Sequence, residues 1–454
     1  MKVIIIGAGE VGFHVAGRFA REKKDVVVID TDPQAIQRVA ENLDVQAIQG
    51  SGSSPLLLEE AGIREAEIML AVTDSDEVNL VACLVTNLIS PTTKKLARLR
   101  DAHYDAYHQS LRDSAPHIDT IINPEIEVVN TIQRLLRVPG AVDIGEFADG
   151  RMKFVGINLD KDCPVTGIPL STLASVTSNV QPLIAAIIRH DEMIIPRGDD
   201  QLQQGDLVYI ISEEEKLLDT LAGFGKRAHP LQRVMIVGGG RIGFRLAAHL
   251  ETHGIYTKII EKNPQRCLEL ADRLDRSVVL HGDGSDQELL KEENIQDMDG
   301  VVTLTDDEET NVLVSLLAKN LRARKTITKI SKFSYFPIMS TIGMERVVNP
   351  RLSAINTILQ HIRKGKVLSA IAIRNEQAEV LEAVALETSD IVGRPLMQVK
   401  FPSGALVIGI VRGEEVIVPS GESVILPGDR IIIFATCRAV AKVEKILAVK
   451  LEFF

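Results

Sequence analysis

Short runs of Val and Ile alternate along this chain with longer segments whose apolar residues recur every three or four positions. The run Lys2–Ile6 precedes an amphipathic segment from Val11 to Glu22, and then comes a second run, Val26–Ile29. A helical segment at Pro33–Asn42 leads to Val45–Ile48, and Pro55–Ala61 leads to Ile68–Ala71. Another, starting at Asp76, leads to Lys95–Leu99. A strand with one wet face would alternate, whereas these read mainly as continuous Val/Ile runs, as strands covered on both faces do. Their alternation with helices predicts an α/β fold with a parallel, doubly wound sheet.

A different texture follows. From about 140 to 222 the pattern is strand-rich, with the Gly205-Asp206 turn opening an apolar strand at Leu207–Ile211 and a weaker helix at Lys216–Leu221. This predicts a small α+β domain. A helix at Pro124–Leu136 joins the two parts, its proline suited to a first turn that needs no N–H there.

The whole arrangement then repeats, from Arg233 to about Ile330 and again over about 367–450. Gly7, Gly12 and Asp30 have counterparts in Gly238, Gly243 and Glu261, each 231 positions on. Gly50-Ser51-Gly52-Ser53 answers to Gly282-Asp283-Gly284-Ser285, and Thr73-Asp74 to Thr305-Asp306, with Asn79 and Asn311 each five beyond the Asp. Asn123-Pro124 answers to Asn349-Pro350, and the helix there to Pro350–Ile362. Gly205-Asp206 answers to Gly428-Asp429, ahead of a strand at Arg430–Phe434 and a helix at Val440–Leu447. A nearly constant offset over the full length means duplication. The expected domains are 1–136, 137–225, 232–364 and 365–454, two Rossmann-like sheets each followed by a small α+β domain.

Charge narrows the partners. A formal net charge of −11 leaves no basic excess to bind nucleic acid, and aromatics at 4% with no Trp leave few stacking platforms. The four cysteines, Cys83, Cys163, Cys267 and Cys437, show no paired or zinc spacing and read as buried thiols. A strand at the very start leaves no room for a signal peptide, and no apolar run is long enough for a membrane helix. The expected location is the cytoplasm.

The glycines carry the chemistry. Gly7-Ala8-Gly9-Glu10-Val11-Gly12 follows a strand and opens a helix, as does Gly238-Gly239-Gly240-Arg241-Ile242-Gly243. The first glycine permits the tight turn, the second lets backbone approach a pyrophosphate, and the last lets helix and strand pack closely. The helix N-terminus then offers free N–H groups to the phosphates. Asp30 and Glu261, each eighteen beyond the last glycine, end the second strand, where a carboxylate bonds ribose hydroxyls and repels a 2′-phosphate. NAD or an adenine nucleotide is expected over NADP.

Thr73-Asp74 and Thr305-Asp306 lie beyond the fourth strand, at the carboxyl edge where ligands of such folds sit, or else they cap the helices that follow. Arg98 and its counterpart Lys329 end the fifth strand, facing phosphates or solvent. The copies differ at Glu10 against Arg241, which sets a cation beside the phosphates of the second. They differ again at Ser51 against Asp283, an acid able to accept from an adenine amine. Each of these side chains also has the plain reading of a solvent-facing polar group.

A dehydrogenase would need an acid or base beside the nicotinamide. His190, and the group His103, His108 and His117, have no counterparts in the other copy, and no GxSxG, HExxH, P-loop or CxxC motif occurs. An NAD-dependent oxidoreductase is therefore the alternative, and nucleotide binding without chemistry the leading expectation, with the ligand selecting one domain arrangement. A cyclic dinucleotide or metal on the small domains has no sequence pattern behind it.

The order GAGEVG, VVVID, QGSGSS, AVTDSDEVN, KKLARLRD and INPE resembles the TrkA family of peripheral potassium-uptake proteins, over the entire chain and in both copies. The resemblance implies two RCK (KTN) nucleotide-binding domains, each trailed by a small RCK C-terminal domain, and no enzyme. It implies a regulatory subunit at the inner face of the membrane, docked on a potassium transporter of the TrkH/TrkG type. Four chains would form a gating ring, binding NAD(H) with ATP or ADP competing for the same crevices. By position, Gly7 to Val11, Asp30, Thr73, Asp74 and Arg98 would hold nucleotide in the first copy. Gly238 to Ile242, Glu261, Thr305, Asp306 and Lys329 would do so in the second. Ser51 departs from the frequent Asp of the family, and Lys329 from its common Arg.

Overall fold

The computed structural model describes residues 1–175, 182–362, 367–373 and 377–447; the expected domain ends at 365–366 and 448–454 lie outside them. Two compact units result, Met1–Glu127 with Pro350–Arg363, and Val128–Asn349 with Lys364–Phe454.

The first unit is built on a six-stranded sheet. Lys2–Ile6 lies at its centre, parallel to Asp25–Asp30 on one side and Ile68–Ala71 on the other. Gln46–Gln49 completes the first flank, and Lys94–Arg98 then Thr120–Ile122 the second. The order 3-2-1-4-5-6 places a topological switch between the first and fourth strands, where such sheets open a ligand crevice. Ile4, Ile6, Val27, Ile29, Leu58 and Met69 are buried together on one face of the sheet.

The helix Pro350–Ile362, which comes from the second half of the chain, packs on helix Glu10–Arg21 of this unit. Lys94 Nζ donates to its His361 carbonyl at 2.8 Å.

The second unit repeats the sheet with Arg233–Val237 at the centre and the same order of Tyr256–Glu261, Val278–His281, Gly300–Thr303, Thr326–Lys329 and Val347–Val348. Here the covering helix comes from the first half. Val128, Ile132, Leu135 and Leu136 of helix Pro124–Arg137 share one buried core with Val234, Ile236, Leu246 and Leu250. A Cβ on Gly300 would come within 2.4 Å of Leu136 Cδ2, so the helix rests its leucine directly on this strand. The sixth strand of each sheet, three residues in one and two in the other, escapes sequence reading because it is too short to show a pattern.

The same unit holds two five-stranded antiparallel sheets of one topology. The first runs Ala141–Phe147, Met152–Asn158, Leu207–Glu213, Leu183–Arg189, Glu192–Ile194 from edge to edge; the second runs Val367–Ile373, Ala378–Val384, Arg430–Thr436, Ala405–Arg412, Glu415–Ile417. Their apolar faces share a core of Phe147, Phe154, Tyr209, Val380, Ile408 and Phe434. In each sheet an arginine grips a buried aspartate through two nitrogens, Arg189 with Asp206 at 2.8 and 2.8 Å and Arg412 with Asp429 at 3.0 and 2.8 Å. The aspartates are those of the Gly-Asp turns, and each also accepts a backbone N–H of its own loop.

One expectation needs correction. Cys83 and Cys163 are buried, but Cys267 and Cys437 are partly exposed, because each sits in the first turn or two of a surface helix.

Candidate functional site: two glycine-rich crevices

The glycines behave differently from one another. Gly7 and Gly238 have φ near +107° and +106°, and a Cβ on either would press within 3 Å of the Thr73 or Thr305 amide nitrogen. On Gly12 a Cβ would fall 1.8 Å from the Gly7 carbonyl oxygen, and on Gly243 2.1 Å from that of Gly238. Around Gly9 and Gly240 a Cβ would meet nothing within 4 Å. The outer glycines are thus demanded by packing, while the middle one borders open space at the helix start, where a phosphate could approach the backbone. Val11 and Ile242 bury their side chains and offer only backbone there.

Behind the loop stands the acid. Asp30 Oδ2 accepts from Ala8 N at 2.5 Å and Oδ1 from Asp32 N at 2.9 Å. In the second copy Glu261 Oε2 accepts from Gly239 N at 2.7 Å and Oε1 from Asn263 N at 2.8 Å. Two backbone donors aim each carboxylate, and each oxygen keeps a lone pair able to accept a further hydrogen bond. The longer glutamate is matched by a smaller neighbour. A Cβ on Gly239 would meet Leu270 Cδ1 at 2.3 Å and Glu261 Oε2 at 3.1 Å, whereas Ala8 is accommodated beside Asp30.

The far wall is organised by an asparagine. Asn79, fully buried, accepts from Thr73 N at 3.0 Å and Thr73 Oγ1 at 2.8 Å, and donates to the Arg98 carbonyl at 2.9 Å. Asn311 does the same with Thr305 at 2.9 and 2.8 Å and with the Lys329 carbonyl at 3.1 Å. Thr73 and Thr305 therefore tie the loop to this asparagine and do not cap. The caps are Ser75, accepting from Val78 N at 3.1 Å, and Asp307, accepting from Thr310 N at 2.9 Å.

Arg98 Nη2 donates to the Thr73 carbonyl at 2.8 Å and to Asp74 Oδ1 at 2.6 Å, and Lys329 Nζ reaches Asp306 at 3.2 Å. Burial disfavours the Arg98 cation, and Asp74 supports it. Asp74 and Asp306 are themselves almost fully exposed, so each cation has a counterion that solvent or a ligand could displace.

An arginine on the second helix of each copy was not anticipated from sequence. Arg38 Nη2 donates to the Ala8 carbonyl at 3.0 Å, and Arg266 Nε donates to the Gly239 carbonyl at 2.8 Å. The carbonyls correspond in the repeat, but the arginines do not. Arg38 aligns with Glu269 and Arg266 with Ala35, one helical turn apart.

At the positions where the copies differ, Glu10 is held by Arg38 at 2.8 Å and lies 3.8 Å from Arg351 of the covering helix. Burial opposes its charge, but Arg38, Arg351 and His14 outweigh it and lower the carboxyl below its ordinary value. Arg241 is exposed. Asp283 accepts from Lys262 Nζ at 2.8 Å, Ser285 Oγ at 2.7 Å and Ser285 N at 2.9 Å, and these keep it ionised well below the usual range. In the first copy Ser51 and Ser53 hydroxyls bond each other at 2.8 Å instead. Gly52 and Gly284 lie against Ile6 and Val237, where a Cβ would fall 2.0 and 2.2 Å from a methyl group.

A topological switch point flanked by a glycine loop, an aimed acid and an ion pair with one exposed partner defines a Rossmann-type domain, present twice. The description "TrkA-N domain" matches residues 3–124 and 234–350, and "TrkA-C domain" matches 154–224 and 380–448. The chain belongs to the TrkA family of Trk-system potassium uptake proteins. It is 38% identical over 459 residues to "Trk system potassium uptake protein TrkA" of Azorhizobium caulinodans, covering 100% of both chains, and 37% identical over 458 residues to that of Halomonas elongata, again covering 100% of both. A homologue of Methanosarcina mazei is 36% identical, with 98% of this chain and 99% of the other covered. Among solved structures, the GsuK RCK domain superposes with a TM-score of 0.61 at 16% identity over 98% of this chain and 94% of that one. The GsuK channel bound to NAD gives 0.61 over 98% and 78%. The fold is the RCK fold, and these relatives are potassium-uptake proteins, not oxidoreductases.

Proposed function

We propose that the chain is the nucleotide-controlled regulatory subunit of a Trk-type potassium uptake system, working in the cytoplasm against a membrane transporter of the TrkH/TrkG type. The observation that carries this is the pair of crevices, each with an open middle glycine and an acid aimed by two backbone donors. NAD(H), or ATP or ADP in competition, would set its pyrophosphate at Gly9 or Gly240 and its ribose on Asp30 or Glu261. Its phosphates would draw Arg98 away from Asp74, or Lys329 away from Asp306. NAD is the ligand named for one structure of this fold.

A ring of four chains is part of the same reading. Helix Asp76–Ile89 exposes Val81, Leu84 and Leu88, and the repeat positions on Glu308–Asn320 expose Leu313 and Leu316. Apolar side chains left uncovered at matching places in both copies suit a contact that recurs from chain to chain. Among the described residues no helix is long and apolar enough to cross a membrane, so transport itself would rest with the partner.

Potassium uptake by cells lacking this chain, with the transporter still present, tests the reading. Uptake is expected to fall and to return when the chain is restored. Unchanged uptake would exclude it.

A further inference from the structure

The covering helices are held differently in the two units, at a point the nucleotide reading does not use. Near the end of helix Glu10–Arg21, Arg18 Nε pairs with Glu22 Oε1 at 2.9 Å, and Lys24 Nζ closes on Glu22 Oε2 at 2.5 Å. Arg18 is only 3% exposed. A buried cation is thus matched by a carboxylate, and neither partner is a histidine.

The repeat places His249 and His253 at the same two positions of helix Arg241–Thr252 and just beyond it. Their rings stack with centroids 4.2 Å apart, and His253 Nδ1 lies 2.9 Å from the His249 carbonyl oxygen. His249 Nε2 is buried and has no hydrogen-bond partner among the described residues. Leu246, Ala247 and Leu250 flank this histidine and share their core with Val128, Ile132, Leu135 and Leu136 of the covering helix.

Beyond the pair itself, the charge that acts on His249 is that of Arg137, and the other charged groups nearby in the unit are engaged elsewhere. Arg137 ends the covering helix, and Arg134 lies one turn back, 3.8 Å from Glu146. Lys325 Nζ sits on the carbonyls of Leu136 at 2.6 Å and Val138 at 3.3 Å, with Arg346 beside it donating to the Ala141 carbonyl at 2.7 Å. On the histidines' own helix stand Arg245 and Glu251, and the Glu251 carboxylate is turned to the amides of Arg276 and Ser277 at 2.8 and 2.5 Å. A proton on His249 would enter a site where an unpaired nitrogen meets no acceptor and where the neighbouring groups are His253 and Arg137.

We propose that the His249–His253 pair is a proton-operated latch: neutral, it lets the covering segment Val128–Arg137 seat on the second sheet, and protonated, it loosens that seat. Burial, then His253 and Arg137, lowers the His249 pKa, in keeping with a neutral ring in the closed state. The unfolded or detached state binds the proton more readily, so the seat weakens as pH falls below the ordinary histidine value. The first unit, holding Arg18 and Glu22 at these positions, lacks this pair.

Amide hydrogen exchange on the full chain at about pH 7.5 and about pH 5.5, corrected for intrinsic exchange, tests the proposal on either side of that value. Protection of peptides within 128–137 is expected to fall several-fold at the lower pH, relative to helix Cys437–Leu447. Two variants decide the cause. His249→Arg with His253→Glu rebuilds the ion pair of the first copy, and His249→Gln is neutral at both pH values; each is expected to flatten the response. Should the double variant fail to fold, His249→Gln alone carries the decision. A response that persists in His249→Gln, that is absent in the parent chain, or that is shared equally by Cys437–Leu447 overturns the latch.

Discussion

Lys325 Nζ donates to the Leu136 carbonyl at 2.6 Å, so the residue just before a strand of the second copy caps a helix that began in the first. Lys94, its counterpart in the repeat, caps His361 at 2.8 Å in the same manner. Each sheet is therefore covered by the helix of the other half, and a lysine closes the last turn, where carbonyls lack partners and a cation meets the negative dipole end.

Loss of Lys94 should loosen only the helix it caps. Lys94→Ala is expected to lower the stability of the first unit by about 1 kcal/mol, the usual worth of such a bond. Hydrogen exchange should localise the loss to 350–362.

Lys325 should leave a pH signature. Burial, with Arg346 nearby, lowers its pKa to about 8 from an ordinary 10.5. Between those values the unfolded chain binds the proton that the folded chain has released, so stability rises with pH across the window. Thermal unfolding of Lys325→Met should lose that rise, measured from about pH 8 to about pH 10.

Glu10 meets Arg351 on the helix that covers the first sheet. In the repeat Arg351 aligns with Glu125, and Glu10 with Arg241, so both charges are inverted. A helix folded back on its own sheet would thus bring Glu125 towards Glu10, two like charges, and this favours the exchange. Glu10→Arg should faster expose 350–362 to exchange, and adding Arg351→Glu should restore protection.

The glycines separate folding from binding. Gly12→Ala puts a Cβ 1.8 Å from a carbonyl oxygen, so the first unit should lose several kcal/mol, roughly 3 or more, by overpacking and backbone shift. Gly9→Ala meets nothing within 4 Å and should melt within a few degrees of the parent, yet lose nucleotide at the first crevice. Paired melting and binding curves check both.

Much of this was legible in the chain. The Val/Ile runs sit where burial on both faces demands them, and Asp30 and Glu261 end their strands as the spacing required. Asn79 and Asn311 carried a visible signal, an asparagine five beyond the aspartate in both copies, whose task needed coordinates to see. The exchange of Pro124–Arg137 and Pro350–Ile362 was not legible, because an amphipathic helix records that it covers a sheet but not which of two similar sheets. Arg38 and Arg266 were hidden for a related reason. They reach equivalent carbonyls from different turns, so aligning the copies pairs each with an unrelated residue.

Two working crevices per chain is the claim on which the rest depends, and equilibrium binding of ATP, ADP, NAD and NADH measures it most directly. The parent chain should bind at two sites, and Asp30→Ala and Glu261→Ala should each weaken one by about 1–3 kcal/mol while sparing the other. Binding that neither substitution changes, or no binding of any of the four, would contradict it.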